Sequence, residues 1–196
     1  MLSAYQQLAT QREAQGIPAL PLNAEQVEAL TSLLEKPPKK ESSKLLHLLS
    51  QRIPPGVDEA AYVKANWLRS IANETTNSPL VNPLEATKLL ATMIGGYNVA
   101  ALIELLTSKN LTLAACAAEG LSHTLLVYDS VNDVLELAES NRFAKQVVDS
   151  WVNAEWFTSK KPLEKEIIVT VFKIEGETNT DDLSPATHAT TRPDIP

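Results

Sequence analysis

Apolar residues along most of this chain recur every three or four positions, which is the spacing of helices that bury one face. In the segment NAEQVEALTSLLEK, residues 23–36, one helical face carries Val27, Leu30, Leu33 and Leu34. Asn23 precedes this face and Gln26 follows three residues later, as in a capping box. The pattern predicts a helix that begins directly after Asn23.

The same pattern continues to about residue 160 in the segments 42–53, 54–74, 82–98, 98–109, 111–129, 130–140 and 142–160. Asp58 and Glu59 suit the positive end of a helix dipole, and Asn82 with Pro83 predicts another helix start. Gly95–Gly96 is expected to end that helix and to form a turn. A broad buried stripe is expected on the 54–74 helix, formed by Ala61, Ala65, Leu68 and Ala72, with Tyr62 and Trp67 nearby.

Short connections between about eight or nine such helices predict a mainly α fold. Two arrangements are open, an α-solenoid of stacked antiparallel helix pairs or a compact bundle. The segments show no clean repeat of fixed period, so a solenoid would be irregular and closest to HEAT-like pairs.

The pattern changes after Pro162. EKEIIVTVFKIEGE is rich in β-branched residues and predicts a fairly buried strand. Because one strand cannot pair with itself, we expect a helical domain over residues 1–160 and the truncated start of an α/β domain over residues 161–196.

Composition limits the class of protein. A net charge of −7 argues against a dedicated nucleic-acid surface, although Lys36, Lys39, Lys40 and Lys44 form one basic segment. The single cysteine, Cys116, excludes an intramolecular disulfide and a Cys-only metal site, and we expect it to be buried. Since the sequence has neither a signal peptide nor a bilayer-spanning run, we expect a cytoplasmic protein without membrane contact.

Few residues of the helical part have the spacing of a chemical site. His47 and His123 lie among leucines, where locally bonded, helix-packed histidines are expected, and no pair of metal ligands has helical spacing. Three aromatic residues are expected to form core or inter-domain contacts, or else an exposed partner surface: Trp151, Trp156 and Phe157.

A polar loop, TNTDDLSP, follows the predicted strand. It is consistent with a turn capped by its own side chains, or with a site loop at the carboxyl end of a strand. Arg192 has the planar fork that grips a carboxylate through two parallel hydrogen bonds.

Several motifs occur in one order along the chain: IPPGVDEAAYVKANWL, MIGGYN, LSHTLL, AKQVVDSWVNAEWF, FKIEGETNTDDLSPA and TRPDIP. Together they closely resemble the N-terminal part of the bacterial aconitate hydratase B family, over essentially all 196 residues. The resemblance implies a citric-acid-cycle lyase that interconverts citrate and isocitrate through cis-aconitate. It also implies a HEAT-like domain followed by a swivelling domain, with a [4Fe–4S] cluster held by three cysteines in the full-length protein.

By the same resemblance, Arg192 contacts a substrate carboxylate, and Asp181 and Ser184 support the site by hydrogen bonding. The helical domain is expected to serve homodimer formation, substrate channelling and binding of messenger RNA. The family's cluster ligands and catalytic serine have no counterpart here, so the fragment alone is expected to be inactive and to bind no metal. The alternative is a free-standing helical-repeat module for protein–protein interaction.

Overall fold

The computed structural model describes residues 2–16, 19–124, 126–171, 173, 176, 177 and 179. The architecture of these residues is helical. The helices are α1 (Leu2–Glu13), α2 (Ala24–Glu35), α3 (Ser42–Gln51), α4 (Glu59–Ala72), α5 (Pro83–Ala91), α6 (Val99–Leu105), α7 (Leu111–His123), α8 (Val131–Ala138), α9 (Arg142–Val152) and α10 (Glu155–Thr158). A 3-10 turn, Tyr128–Ser130, leads into α8.

The helix starts follow the local sequence. The Asn23 side chain accepts a hydrogen bond from the Gln26 amide at 2.9 Å, and the Gln26 side chain accepts one from the Asn23 amide at 3.1 Å. Asn82 caps α5 in the same way, with Pro83 in the first turn. Asp58 caps α4 by accepting from the Ala61 amide. These three predicted starts are confirmed, because each side chain satisfies an amide that the helix leaves unbonded.

Helices adjacent in sequence pack as pairs, and the pairs pack in sequence order. The pairs are α2 with α3, α4 with α5, α6 with α7, and α8 with α9. Successive pairs meet through α2 against α4, α5 against α7, and α7 against α9. The hydrophobic core therefore runs as one band along the row of pairs.

The buried faces are those that the periodicity predicts. Val27, Leu30 and Leu34 are fully buried on α2, and Leu33 is half-buried. The predicted stripe on α4 is also buried, but Tyr62 beside it is 52% exposed. Between α5 and α7 the packing is very close, since a Cβ on Gly120 would lie 2.6 Å from the Ala91 Cβ. Glycine is thus required where these two helices touch.

Two helix ends differ from the prediction. The helix α5 ends at Ala91, before Gly95–Gly96, and its last carbonyls are bound by Thr92 and Met93 amides and by the buried Asn98 side chain. The predicted 142–160 helix is broken by Ala154, whose φ of 50° is left-handed. Because these donors bond the last carbonyls of α5, the helix ends without Gly95–Gly96, and the two glycines form a separate turn.

The predicted buried strand EKEIIVTVFKIEGE, residues 164–177, is not seen in its described part, which has no strand pairing and a bend at Lys165. Ile168 is 91% exposed and Val171 83% exposed. A strand needs a neighbour to bond its amides and cover its apolar side chains, and these residues have no such neighbour within the described ranges. Phe172 and Ile174, also assigned to the strand, lie outside those ranges. None of the described helices is long and apolar enough to cross a membrane.

Candidate functional site

The residues assigned to substrate by resemblance, Asp181, Ser184 and Arg192, all lie outside the described residues. Their mutual geometry is therefore not part of the structure. In the described ranges, the features with the geometry of a site include a junction of three loops, an aromatic cleft beside it, and a buried lysine.

Three loops meet at the junction through backbone hydrogen bonds. The Ile94 amide donates to the Pro55 carbonyl at 3.1 Å, and the Gly96 amide donates to the Leu126 carbonyl at 3.2 Å. Gly95 has φ 129°, and a Cβ there would lie 2.4 Å from the Leu126 carbonyl oxygen. Only glycine fits at this contact, so the Gly95–Gly96 pair joins two loops rather than capping a helix.

Aromatic rings lie next to the junction. Tyr62 and Tyr97 meet edge to face with their centroids 5.0 Å apart, although both are substantially exposed. This contact could not be predicted from the sequence, because the two residues belong to different helix–loop segments.

The aromatic cleft lies between the end of α7, the start of α8 and the α9–α10 break. It has a volume of about 280 Å³ and is lined by Thr124, Val127, Tyr128, Val131, Trp151 and Trp156. The Trp151 indole donates to the Leu121 carbonyl at 3.0 Å, which fixes that wall of the cleft. The lining offers apolar contact and two hydroxyl groups but no carboxylate, imidazole or ammonium, so it is suited to binding an apolar group and not to acid–base chemistry.

Backbone strain occurs at the rim of this cleft. Tyr128 has φ 53° and is 64% exposed. A bulky residue in the left-handed region is unusual and costs about 1–2 kcal/mol.

The three aromatic residues singled out in the sequence differ in burial. Trp151 and Trp156 are half-buried around the cleft, whereas Phe157 is 64% exposed.

Lys64 is a buried charge that the sequence reasoning missed. It lies on α4 at 1% exposure, and burial lowers its pKa from 10.5 to about 8. Its ammonium group forms no ion pair with a carboxylate of the described residues. The signal was its spacing, because Lys64 lies three or four residues from Ala60, Ala61, Trp67 and Leu68, all of them buried.

The remaining candidates are not assembled into a site. His47 and His123 are both exposed, so the expected packing is wrong, although His123 Nδ1 does lie 3.0 Å from the Glu119 carbonyl oxygen. Cys116 is half-buried instead of fully buried. Burial raises the pKa of its thiol, with Glu119 adding to the rise and Lys88 opposing it, which favours the unreactive protonated form.

Neither the acidic side chains nor the basic segment forms an evident ligand site. No group of three or more His, Cys, Asp or Glu side chains able to hold a metal ion occurs among the described residues. Lys36, Lys39 and Lys40 are exposed, and Lys44 lies 3.9 Å from the Glu41 carboxylate. Three of the four lysines therefore lie in a solvated connection, and Lys44 lies on α3.

Comparison with known protein families gives two matches along the chain. A family described as the aconitate B N-terminal domain matches residues 4–157. A second, described as the aconitate hydratase 2 N-terminus, matches residues 169–196.

Curated relatives match over the whole chain. Aconitate hydratase B of Synechocystis is 56% identical over 196 residues, that of Escherichia coli is 52% identical over 197, and that of Helicobacter pylori is 48% identical over 195. Each alignment covers 100% of this chain but only 22–23% of the relative. The chain thus spans less than a quarter of the length of the curated relatives that it matches.

Proposed function

Since this chain belongs to the aconitate B N-terminal domain family, we propose that it is the N-terminal part of an aconitate hydratase B of the bacterial cytoplasm. The full-length protein would interconvert citrate and isocitrate through cis-aconitate. The observation that carries the proposal is the 48–56% identity to proteins of that name over the entire chain. The aligned region includes the predicted site loop as well as the helices.

Within that protein we propose a division into a HEAT-like helical domain, residues 1–160, and the start of a swivelling domain, residues 161–196. Two observations support it. The helix pairs contact one another in sequence order, as in a solenoid, and the two family matches fall on either side of residues 158–168.

We further propose that Arg192 binds a substrate carboxylate, and that Asp181 and Ser184 hold neighbouring groups by hydrogen bonds. Citrate and isocitrate each carry three carboxylates, and arginine binds a carboxylate through two charge-assisted hydrogen bonds. Lysine keeps the positive charge but lacks the planar guanidinium. An Arg192→Lys variant therefore separates the contribution of the charge from that of the two parallel hydrogen bonds.

The [4Fe–4S] cluster of the family does not fit the residues of this chain. Such a cluster held by three cysteines needs three thiolates, and the sequence has one cysteine. Burial also raises the pKa of that thiol. We therefore assign the cluster ligands, and the hydro-lyase chemistry, to other parts of the full-length protein, and we propose that residues 1–196 alone are inactive.

For the helical domain we propose roles in homodimer formation and in shaping the path of the substrate. Binding of messenger RNA has less support, because the net charge is −7 and three of the four lysines of the basic segment lie exposed in one connection. A filter-binding titration at low salt separates these roles: no affinity for RNA excludes that function.

The proposal is tested with the full-length gene product, reconstituted anaerobically with iron and sulfide and assayed for hydration of cis-aconitate. Replacing Arg192 by lysine is expected to cost about 3 kcal/mol of transition-state binding, or roughly 100-fold in kcat/KM. The matched control is Lys161→Gln, an exposed cation in the segment between the two family matches, which should leave kcat/KM unchanged. If the reconstituted product does not hydrate cis-aconitate, the enzymatic assignment fails and the free-standing interaction module takes its place.

A further inference from the structure

Helix α8 carries an apolar stripe that the described fold leaves uncovered. Tyr128, Val131 and Leu135 are 64%, 36% and 48% exposed. Their spacing of three and four residues places them one above another along the 3-10 turn and α8. The buried face of the helix is a different one, since Val134 is fully buried and α8 packs chiefly against α9. Helix α8 thus has a second apolar face in addition to the one that it buries.

The stripe continues into the aromatic cleft. Tyr128 and Val131 line this cleft together with Trp151 and Trp156, and Leu135 lies one turn further along the helix. The volume of the cleft, about 280 Å³, is small for a ligand pocket, since such pockets usually span about 300–1,000 Å³. It is better matched to a single large apolar side chain. We define the α8 groove as the stripe and the cleft together.

The α8 groove is bordered by negative charge. Residues 128–141 contain four acidic side chains and no lysine, arginine or histidine. Glu139 lies one turn beyond Leu135 on the same side of the helix, and Glu136 lies beside it. All four acidic side chains are exposed, and none of them forms an ion pair with a described residue: Asp129, Asp133, Glu136 and Glu139.

The cleft end of the groove is fixed in shape. The Trp151 indole donates to the Leu121 carbonyl at 3.0 Å, which holds the ring in place. Tyr128 is held at the rim with a φ of 53°, and strained residues of this kind occur preferentially where a protein clamps a ligand. A rigid surface loses little conformational entropy when a partner covers it, which favours binding.

We propose that the α8 groove binds a basic amphipathic helix of another protein. Such a helix presents apolar side chains at positions i, i+3 or i+4, and i+7, the spacing of the stripe itself. One of these side chains enters the aromatic cleft, and the lysine or arginine residues beside them lie against the four carboxylates. The inference goes beyond the proposed function, because it assigns a partner to a surface and involves no reactant.

Charge distinguishes this partner from other occupants. A second copy that paired through the same face would bring two sets of four carboxylates together, and like charges repel. Nucleic acid and anionic membranes are repelled for the same reason. Residues 161–196 of this chain are poorly matched as well, because they contain four basic and seven acidic side chains.

The test is a fluorescence-anisotropy titration of the full-length gene product into a labelled synthetic helix. This peptide has about 14 residues, with leucine at the spacing of the stripe and lysine elsewhere. The control peptide has the same composition, but its leucines are out of helical register. We expect binding of the first peptide in the micromolar range and binding of the second that is at least about tenfold weaker. Equal binding of the two peptides, or no binding of the first at low salt, overturns the proposal.

Two matched pairs of variants assign the binding to α8. Leu135→Asp should weaken binding at least about tenfold, whereas Leu111→Asp, at a leucine 58% exposed at the start of α7, should leave it unchanged. Glu136→Lys should weaken binding about fivefold and reduce its salt dependence, whereas Glu28→Lys, at an exposed residue of α2, should do neither. If both members of a pair have the same effect, the peptide binds elsewhere and the proposal is overturned, whatever the hydratase assay shows.

Discussion

Replacing Lys64 by methionine removes a charge from the core while preserving the length of the side chain. Lys64 is 1% exposed on α4, and its ammonium has no carboxylate partner among the described residues. Methionine fills a similar volume and keeps the packing of the aliphatic stem. The substitution therefore isolates the cost of burying the charge.

The magnitude follows from the pKa. Burial lowers the pKa of Lys64 from 10.5 to about 8 in the folded protein. At about 1.4 kcal/mol per pKa unit, this difference corresponds to about 3 kcal/mol. At pH 7 the lysine is protonated in both the folded and the unfolded state, so the folded protein bears the whole cost. Lys64→Met should then raise the free energy of unfolding at pH 7 by about 3 kcal/mol.

The pH dependence has a definite sign. Between about pH 8 and 10.5 the unfolded chain holds the Lys64 proton and the folded chain does not, so the unfolded state binds more protons. The contribution of Lys64 to stability therefore rises with pH across this window. The advantage of Lys64→Met is complete below about pH 8 and disappears above 10.5.

Urea unfolding of both proteins at pH 7, 9 and 10.5 measures the difference. Lys145→Met is the matched control, because the Lys145 side chain is 66% exposed and its partner Asp149 is on the surface. This control should change the free energy of unfolding by less than about 0.5 kcal/mol at every pH. If Lys64→Met is neutral or destabilising at pH 7, or if its effect does not change with pH, the reasoning about the buried ammonium is wrong.

Further substitutions test the packing. Gly95→Ala places a Cβ against the backbone of the facing loop at a φ of 129° and should cost roughly 2–5 kcal/mol by thermal or urea unfolding. Gly16→Ala, at φ 72° with open space around it, should cost only about 1 kcal/mol, and equal losses would contradict the contact. Asn98→Ala removes the buried side-chain donor shared by the Leu90 and Met93 carbonyls and should cost about 1–3 kcal/mol, whereas Asn98→Gln should not restore the loss. Trp67→Phe removes the 3.0 Å hydrogen bond that the indole donates to the Glu35 carboxylate and should cost about 1 kcal/mol by urea unfolding.

The helices could be predicted from the sequence because their signals are local. Capping side chains at Asn23, Asp58 and Asn82 act within three residues, and the apolar faces of α2 and α4 follow from periodicity. The end of α5 could not be predicted in this way. It depends on Asn98, seven residues beyond Ala91, and on the contact between Gly95 and a loop more than 30 residues away.

The candidate sites were less predictable for the same reason. The cleft is lined by Tyr128, Trp151 and Trp156, and of these only the two tryptophans are candidates from the sequence. Burial of Lys64 follows from its position on the apolar face, but a lysine is normally taken to mark the exposed face. The strand over EKEIIVTVFKIEGE, residues 164–177, is inferred from β-branched residues, whose preference is for a paired and covered surface that the described residues do not provide. The assignments of Asp181, Ser184 and Arg192 stay predictions.

The attachment of α1 has a consequence for how the fold opens. Among the residues of α1 whose burial is described, only Tyr5 is buried, at 7% exposure. Its hydroxyl donates to the Leu20 carbonyl and accepts a hydrogen bond from Arg52 Nε at 3.2 Å. Arg52 also bonds the Ala19 carbonyl, so one side chain joins α1, the segment before α2 and the end of α3. Helix α1 should therefore detach as a separate cooperative unit, with amide hydrogen exchange faster than in α4 or α7. Detachment of α1 therefore depends on Arg52, which lies 47 positions along the chain from the tyrosine that it holds.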